Sequence, residues 1–138
     1  MITTNSDGGA RGNPGNGAIG VVIRKGDEII EKYSEVLKGK VTNNIAEYWG
    51  LIRALQVAAE YTDGELTCIL DSQLVIKQLL GKYRVKKPYL LKLFLKVQEL
   101  QNKFEKINYQ YTKRTNKYQK LADYLLNQEL DKRFGPRR

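Results

Sequence analysis

The chain has 138 residues, a net charge of +9, one cysteine and no histidine, a length that supports one domain (residues 1–138) with its own core and is too short for two. Without histidine there can be no Ser-His-Asp triad, Cys-His pair or His-ligated zinc, and the single Cys68 rules out a disulfide framework. No apolar run reaches the length of a membrane span and Met1 to Asp7 lack the pattern of a signal peptide, so a cytoplasmic protein with no membrane partner is expected.

In chain order, the first third reads as β structure: Met1 to Asp7, Ala18 to Arg24 and Glu28 to Leu37, separated by Gly-rich or Gly-Asp turns, predict an antiparallel meander. Thr42 to Tyr61 has helical periodicity, with Thr42, Asn43 and Asn44 as candidate N-caps, and ends before the Asp63-Gly64 turn. Glu65 to Leu70 is a short strand in which Cys68 alternates with Leu66 and Leu70, the place of a small buried hydrophobe. Ser72 caps a helix running to Gly81. A helix from Pro88 to about Phe104, a strand from Ile107 to Thr112 and a helix from Lys117 to Lys132 follow. The order βββαβααβα predicts an α/β fold with helices packed against a mixed five-stranded sheet.

Charge is unevenly spread along this order. Residues 1–76 hold 7 Lys/Arg and 10 Asp/Glu, whereas residues 77–138 hold 17 and 5. A solvated basic face accounts for some excess of this kind, yet one so lopsided suits a polyanion, because each phosphate neutralised releases condensed counterions. An anionic membrane fits less well, since no basic amphipathic helix sets bulky exposed apolar residues opposite its lysines.

With histidine absent, catalysis falls to carboxylates, which usually work through a hard metal ion. Gly15-Asn16-Gly17-Ala18-Ile19-Gly20 spells a dinucleotide-binding fingerprint, but it opens a β-branched strand rather than a helix. Gly8 to Gly17 are better read as a hairpin. Four acids stand out by position. Asp71 follows the strand Glu65 to Leu70, at the carboxyl edge where α/β sheets place ligands, though a helix-cap neighbour would also sit there. Asp7 closes the first strand before two glycines, where an ordinary turn aspartate is equally at home. On a helical wheel Glu47 falls beside Leu51 at the edge of the arc Tyr48, Leu51, Ile52, Leu55, Ala58 and Ala59. Asp123 flanks Leu130 at the edge of the arc Leu121, Ala122, Leu125, Leu126 and Leu130. Each alone is compatible with a half-buried, hydrogen-bonded acid. Were all four to converge, like charges about 5 Å apart would repel by about 3 kcal/mol per pair at an effective dielectric near 20, and the group would need protons or divalent cations.

Four motifs carry a resemblance over nearly the whole chain: Asp7-Gly8-Gly9-Ala10-Arg11-Gly12-Asn13-Pro14-Gly15, Thr42-Asn43-Asn44-Ile45-Ala46-Glu47, Asp71-Ser72-Gln73-Leu74-Val75 and Leu121-Ala122-Asp123. In their order and composition the chain resembles type 1 ribonuclease H. The resemblance implies the ribonuclease H-like fold with helices on both faces of the sheet. It also implies hydrolysis of the RNA strand of an RNA–DNA hybrid to 5′-phosphate and 3′-hydroxyl ends, with double-stranded RNA a further candidate substrate. It makes Asp7, Glu47, Asp71 and Asp123 the metal-binding catalytic carboxylates; two Mg²⁺ ions, with Mn²⁺ as a substitute, are the counter-charge that four such acids call for, and a monomer is the default expectation. Gly9, Asn13, Asn43, Asn44 and Gln73 would contact the hybrid, and Thr42 would help to seat a DNA phosphate. Reading the 2′-hydroxyl is how such a site tells RNA from DNA.

The chain departs from the family pattern at two places. The loop that often holds a histidine is Lys113-Arg114-Thr115-Asn116-Lys117, which makes Arg114 the candidate substitute: able to stabilise phosphate charge but not to exchange a proton near neutrality. The basic helix inserted in some bacterial members is missing, so grip on the hybrid falls to the stretch containing Lys86 and Lys87 and to Lys92, Lys96 and Lys103, for which a solvated polar face is an equally good reading. A catalytically silent hybrid-binding or duplex-binding module, and the ribonuclease H domain of a larger reverse transcriptase, are the alternatives.

Overall fold

The computed structural model describes residues 1–137. Its elements follow the expected order: β1 (Ile2–Gly12), β2 (Gly15–Lys25), β3 (Glu28–Val41), α1 (Asn43–Ala58), β4 (Glu65–Leu70), α2 (Gln73–Leu79), α3 (Pro88–Gln101), β5 (Lys106–Tyr111) and α4 (Lys117–Phe134). They form one five-stranded sheet ordered β3-β2-β1-β4-β5. The first three strands pair antiparallel, and β4 joins β1 and β5 in parallel, which makes the sheet mixed.

Alternation along β2 explains why the sheet is covered on both sides. Ile19, Val21 and Ile23 belong to the main core with Tyr48, Leu51, Ile52 and Leu55 of α1 and Val97 and Leu100 of α3. The intervening Ala18 packs with Leu126 and Leu130, and Val22 with Tyr118 and Ala122, all from α4. Successive side chains of a strand point to opposite faces, so an almost unbroken apolar run is what a doubly covered strand requires. Between them, Gly20 lets α4 come down onto the strand: a Cβ there would lie 2.1 Å from the Ala122 carbonyl oxygen. Cys68 is fully buried in β4, as its alternation predicts, and burial pushes its thiol up to about 12.

Most boundaries agree with the sequence to within three residues, and the exceptions have causes. β1 was expected to end at Asp7, but it runs through the glycines to Gly12, because β2 stays in register with it to the pair Gly12↔Gly15. The hairpin turn is confined to Asn13-Pro14, whose peptide bond is cis. β3 likewise extends beyond Leu37 to pair Val41 with Gly15. Thr42 proves to be the cap of α1: its Oγ1 accepts from the Ile45 N–H at 3.2 Å, and the helix stops at Ala58 rather than Tyr61. Ser72 caps α2 as expected, accepting from Val75 N–H at 3.2 Å. Among the described residues no helix is long and apolar enough to cross a membrane.

Candidate active site

The parallel pairing of β1 with β4 runs from Ile2↔Leu66 to Asn5↔Ile69 and then stops. Beyond that point Asp7 continues β1 and Asp71 follows the end of β4, so the two acids stand where the strands part. Parting strands at the carboxyl end of β4 leave a crevice, and α1 supplies its third wall with Glu47. Asp7 and Glu47 are each only 8% exposed. Oxygens of Asp7, Glu47 and Asp71 all lie within 4.8 Å of one another.

The backbone ties two of these acids together. Gly8 N–H donates to Asp7 Oδ1 at 2.9 Å and to Glu47 Oε1 at 2.8 Å. Glu47 Oε2 is buried without a hydrogen-bond partner, an arrangement that is costly unless something outside the chain completes it. Electrostatics agree. Burial first, then the nearby charge of Glu47, pushes the Asp7 carboxyl far above the ordinary carboxylate range. Burial likewise pushes Glu47 up to about 7. Asp71 is raised by burial too, and the Arg114 guanidinium counteracts this in part. Groups raised in this way favour protonation or a cation.

The fourth acid stands apart from the compact three. Asp123 is exposed on α4, yet it lines the same cleft, of about 640 Å³, and its charge adds to the rise at Asp7 and Asp71. Asn127, one turn along the helix, holds it by donating from Nδ2 to Asp123 Oδ1 at 3.2 Å.

Of the other residues singled out in the sequence, Gly9, Asn43, Asn44, Gln73 and Arg114 line the cleft. Arg114 Nε is 3.8 Å from Asp71 Oδ2 on a side chain that is 90% exposed, free to swing toward a phosphate. Asn13 and Thr42 do not reach the cleft. Asn13 Oδ1 accepts from Asn43 N–H at 3.0 Å and Asn43 Oδ1 accepts from Ala10 N–H at 3.0 Å, which stitches the hairpin to the start of α1. Lys86 and Lys87 are exposed just before α3 and lie outside the cleft. Gln119, Lys120, Asn127 and Arg137, which belong to none of the four motifs, also line it. Gln119 and Asn127 sit four residues before and after Asp123, one helical turn each way, and that spacing was the available signal.

Known proteins similar to this chain agree with this geometry. A family model described as reverse transcriptase-like matches residues 5–128. The ribonuclease HI of Halobacterium salinarum is 38% identical over 125 residues, 91% of this chain and 62% of that protein. A bifunctional protein of Mycobacterium tuberculosis is 39% identical over 132 residues, 94% of this chain and 35% of that protein. The chain therefore spans about a third of one of these curated relatives and less than two thirds of the other. Among solved structures, RNase H1 from Halobacterium salinarum superposes with a TM-score of 0.89 at 36% identity, covering 95% of this chain and 98% of that one. LC11-RNase H1, solved in complex with an RNA/DNA hybrid, gives a TM-score of 0.86 at 34% identity, covering 96% of this chain and 98% of that one.

Proposed function

The chain belongs to the type 1 ribonuclease H family, and we propose that it is a divalent-metal-dependent endonuclease that hydrolyses the RNA strand of an RNA–DNA hybrid, leaving 5′-phosphate and 3′-hydroxyl ends. The observation that carries this reading is the floor of the cleft: three carboxylates, Asp7 and Glu47 buried and Asp71 half-buried, with oxygens within 4.8 Å of one another and one Glu47 oxygen without a partner. An all-oxygen donor set of this charge fits a hard divalent ion such as Mg²⁺, with Mn²⁺ as a substitute. Asp7, Glu47 and Asp71 would hold it, and Asp123 would complete the set from the rim for a second ion. When bound, such ions lower the pKa of a water and stabilise charge on the attacking and leaving oxygens of an in-line displacement.

The chain's own residues do the positioning. Gly8 N–H fixes Glu47 Oε1, while Oε2 is buried without a partner in the chain. Gly9, Asn43, Asn44 and Gln73 form the wall against which the hybrid lies; their short amide and backbone groups suit 2′-hydroxyls and base edges in a shallow minor groove. Arg114 stands where a mobile cation can offset negative charge on the phosphate and help release the product. That one structural neighbour was solved with an RNA/DNA hybrid supports the same choice of substrate.

Labelled hybrid, double-stranded RNA and double-stranded DNA, each incubated with the protein with and without Mg²⁺, test the reading. Cleavage of the hybrid only with metal, abolished by Asp71→Asn while hybrid binding persists, is the expected outcome. Metal-independent cutting, or undiminished cutting by Asp71→Asn, would refute it. Binding without cutting would identify the silent module instead.

A further inference from the structure

Arg24, half-buried, and Asn5 and Gln119, both buried, form a polar chain between the sheet and α4 that none of the roles above uses. A guanidinium can only donate hydrogen bonds, whereas a carboxamide can present either end. Arg24 Nε donates to Asn5 Oδ1 at 2.9 Å, so Asn5 is left to donate through Nδ2, which meets Gln119 Oε1 at 3.1 Å. With its oxygen engaged, Gln119 can face onward only with its nitrogen, and Nε2 donates to the Ser6 carbonyl at 2.6 Å. Asn5 is fully buried and Gln119 is 1% exposed, so the protein groups around them set their directions. Arg24 is itself held over the Tyr118 ring, 4.1 Å from its centroid, and by Gly26 O at 2.9 Å.

The far end of this chain falls where the acid cluster is made. Ser6 is the first residue of β1 beyond the last one paired with β4, and it precedes Asp7. Gln119 lines the cleft together with Asp7 and Asp71, and its bond to the Ser6 carbonyl ties α4 to β1 at the point where β1 leaves β4. Asn116 Oδ1 accepts from Tyr118 and Gln119 N–H, so the same residue also anchors the loop that carries Arg114.

Building on the proposed metal-dependent activity, we infer that Arg24, Asn5 and Gln119 are positioning residues: the donor-only guanidinium fixes the direction of two buried amides, and the Gln119 amide holds the end of β1 at Ser6, and with it the adjoining Asp7, in place against the other acids of the cleft. Arg24 touches none of the acids, yet it sets the geometry in which they take up an ion. A polar filler with no such role would affect stability alone.

Binding of Mn²⁺ to the purified protein without substrate, followed by electron paramagnetic resonance, tests this. Urea unfolding recorded on the same samples reports the fold. Gln119→Leu should weaken Mn²⁺ binding about tenfold, as loss of a group supporting metal ligands commonly does. Arg24→Gln, which can accept as well as donate and so releases the amide direction, should weaken it in the same sense by less. Wild-type Mn²⁺ affinity in folded Arg24→Gln overturns the inference, and that variant decides alone if Gln119→Leu does not fold. Absence of Mn²⁺ binding by the unaltered protein would overturn it together with the reading it rests on. Because no substrate is present, a protein that binds Mn²⁺ in this graded way but cuts no hybrid would refute only the hydrolytic function.

Discussion

Gly8 N–H donates to Glu47 Oε1 across 2.8 Å, and it can do so only because α1 lies directly on β1 at this point. A Cβ on Gly8 would stand 2.0 Å from the Ala46 carbonyl oxygen, in the turn that carries Glu47. Close approach of two backbones is therefore the condition for bringing a strand acid and a helix acid to one place.

Gly8→Ala should accordingly push α1 off the sheet. Overpacking of this kind costs about 1–3 kcal/mol, to be read as a lower urea midpoint, and metal-dependent cleavage should fall further than the stability loss explains. An alanine variant of normal stability and activity would show that the close approach is not required.

Arg114→Ala should lower kcat about ten- to hundredfold, the worth of about 1.5–3 kcal/mol for a hydrogen bond to a charged group, with little change in KM. Arg114→Lys should recover part of it. Since Arg114 holds the Asp71 carboxyl down against its burial, removing it should also move the acid limb of the pH–rate profile to higher pH. Full activity in Arg114→Ala would remove this residue from the reaction.

The acids set how the metal-free protein responds to pH. Burial raises Asp7, Glu47 and Asp71 above their unfolded values, Glu47 to about 7. Between the unfolded value near pH 4 and the raised one, the folded state binds more protons than the unfolded, so stability falls as pH rises through that window. Asp7→Asn should therefore stabilise the metal-free protein at pH 8, because the folded wild type must keep a proton on Asp7 that the unfolded chain releases. The gain should vanish near pH 4. A stability difference that does not change with pH would contradict this account of the site's charge.

Lys86 and Lys87 lie outside the cleft, so their part in grip is electrostatic if they have one. Lys86→Ala and Lys87→Ala should each weaken hybrid binding, leave kcat unchanged, and reduce the slope of log affinity against log salt by about one. An unaltered slope would place the phosphate contacts elsewhere.

How much of this could be read from the chain alone depended on whether the cause was local. Asp71 was legible because a strand end and a Ser cap flank it in sequence, and Glu47 because a helical wheel reports which side of α1 is buried. The wheel also placed Asp123 at the rim of the arc α4 buries, and in the structure it lines the cleft from an exposed position. What stayed hidden was non-local. Gly8 and Gly9 carry the local signature of a turn, and only pairing with β2 keeps them in a strand. Asn5 and Gln119 lie 114 residues apart, and nothing in either neighbourhood points to the other. The cleft's breadth, including Asn127 and Arg137, depends on how α4 settles over β1 and β2, which periodicity does not specify.

Asp7, Glu47 and Asp71 are proposed to share a divalent ion. A crystal of the protein soaked in Mn²⁺, with data collected for anomalous scattering, tests this most directly. A peak bonded to oxygens of those three residues, including the unpartnered Oε2 of Glu47, is the predicted result. Strong peaks elsewhere, with the three carboxylates left unbridged at saturating Mn²⁺, would contradict it.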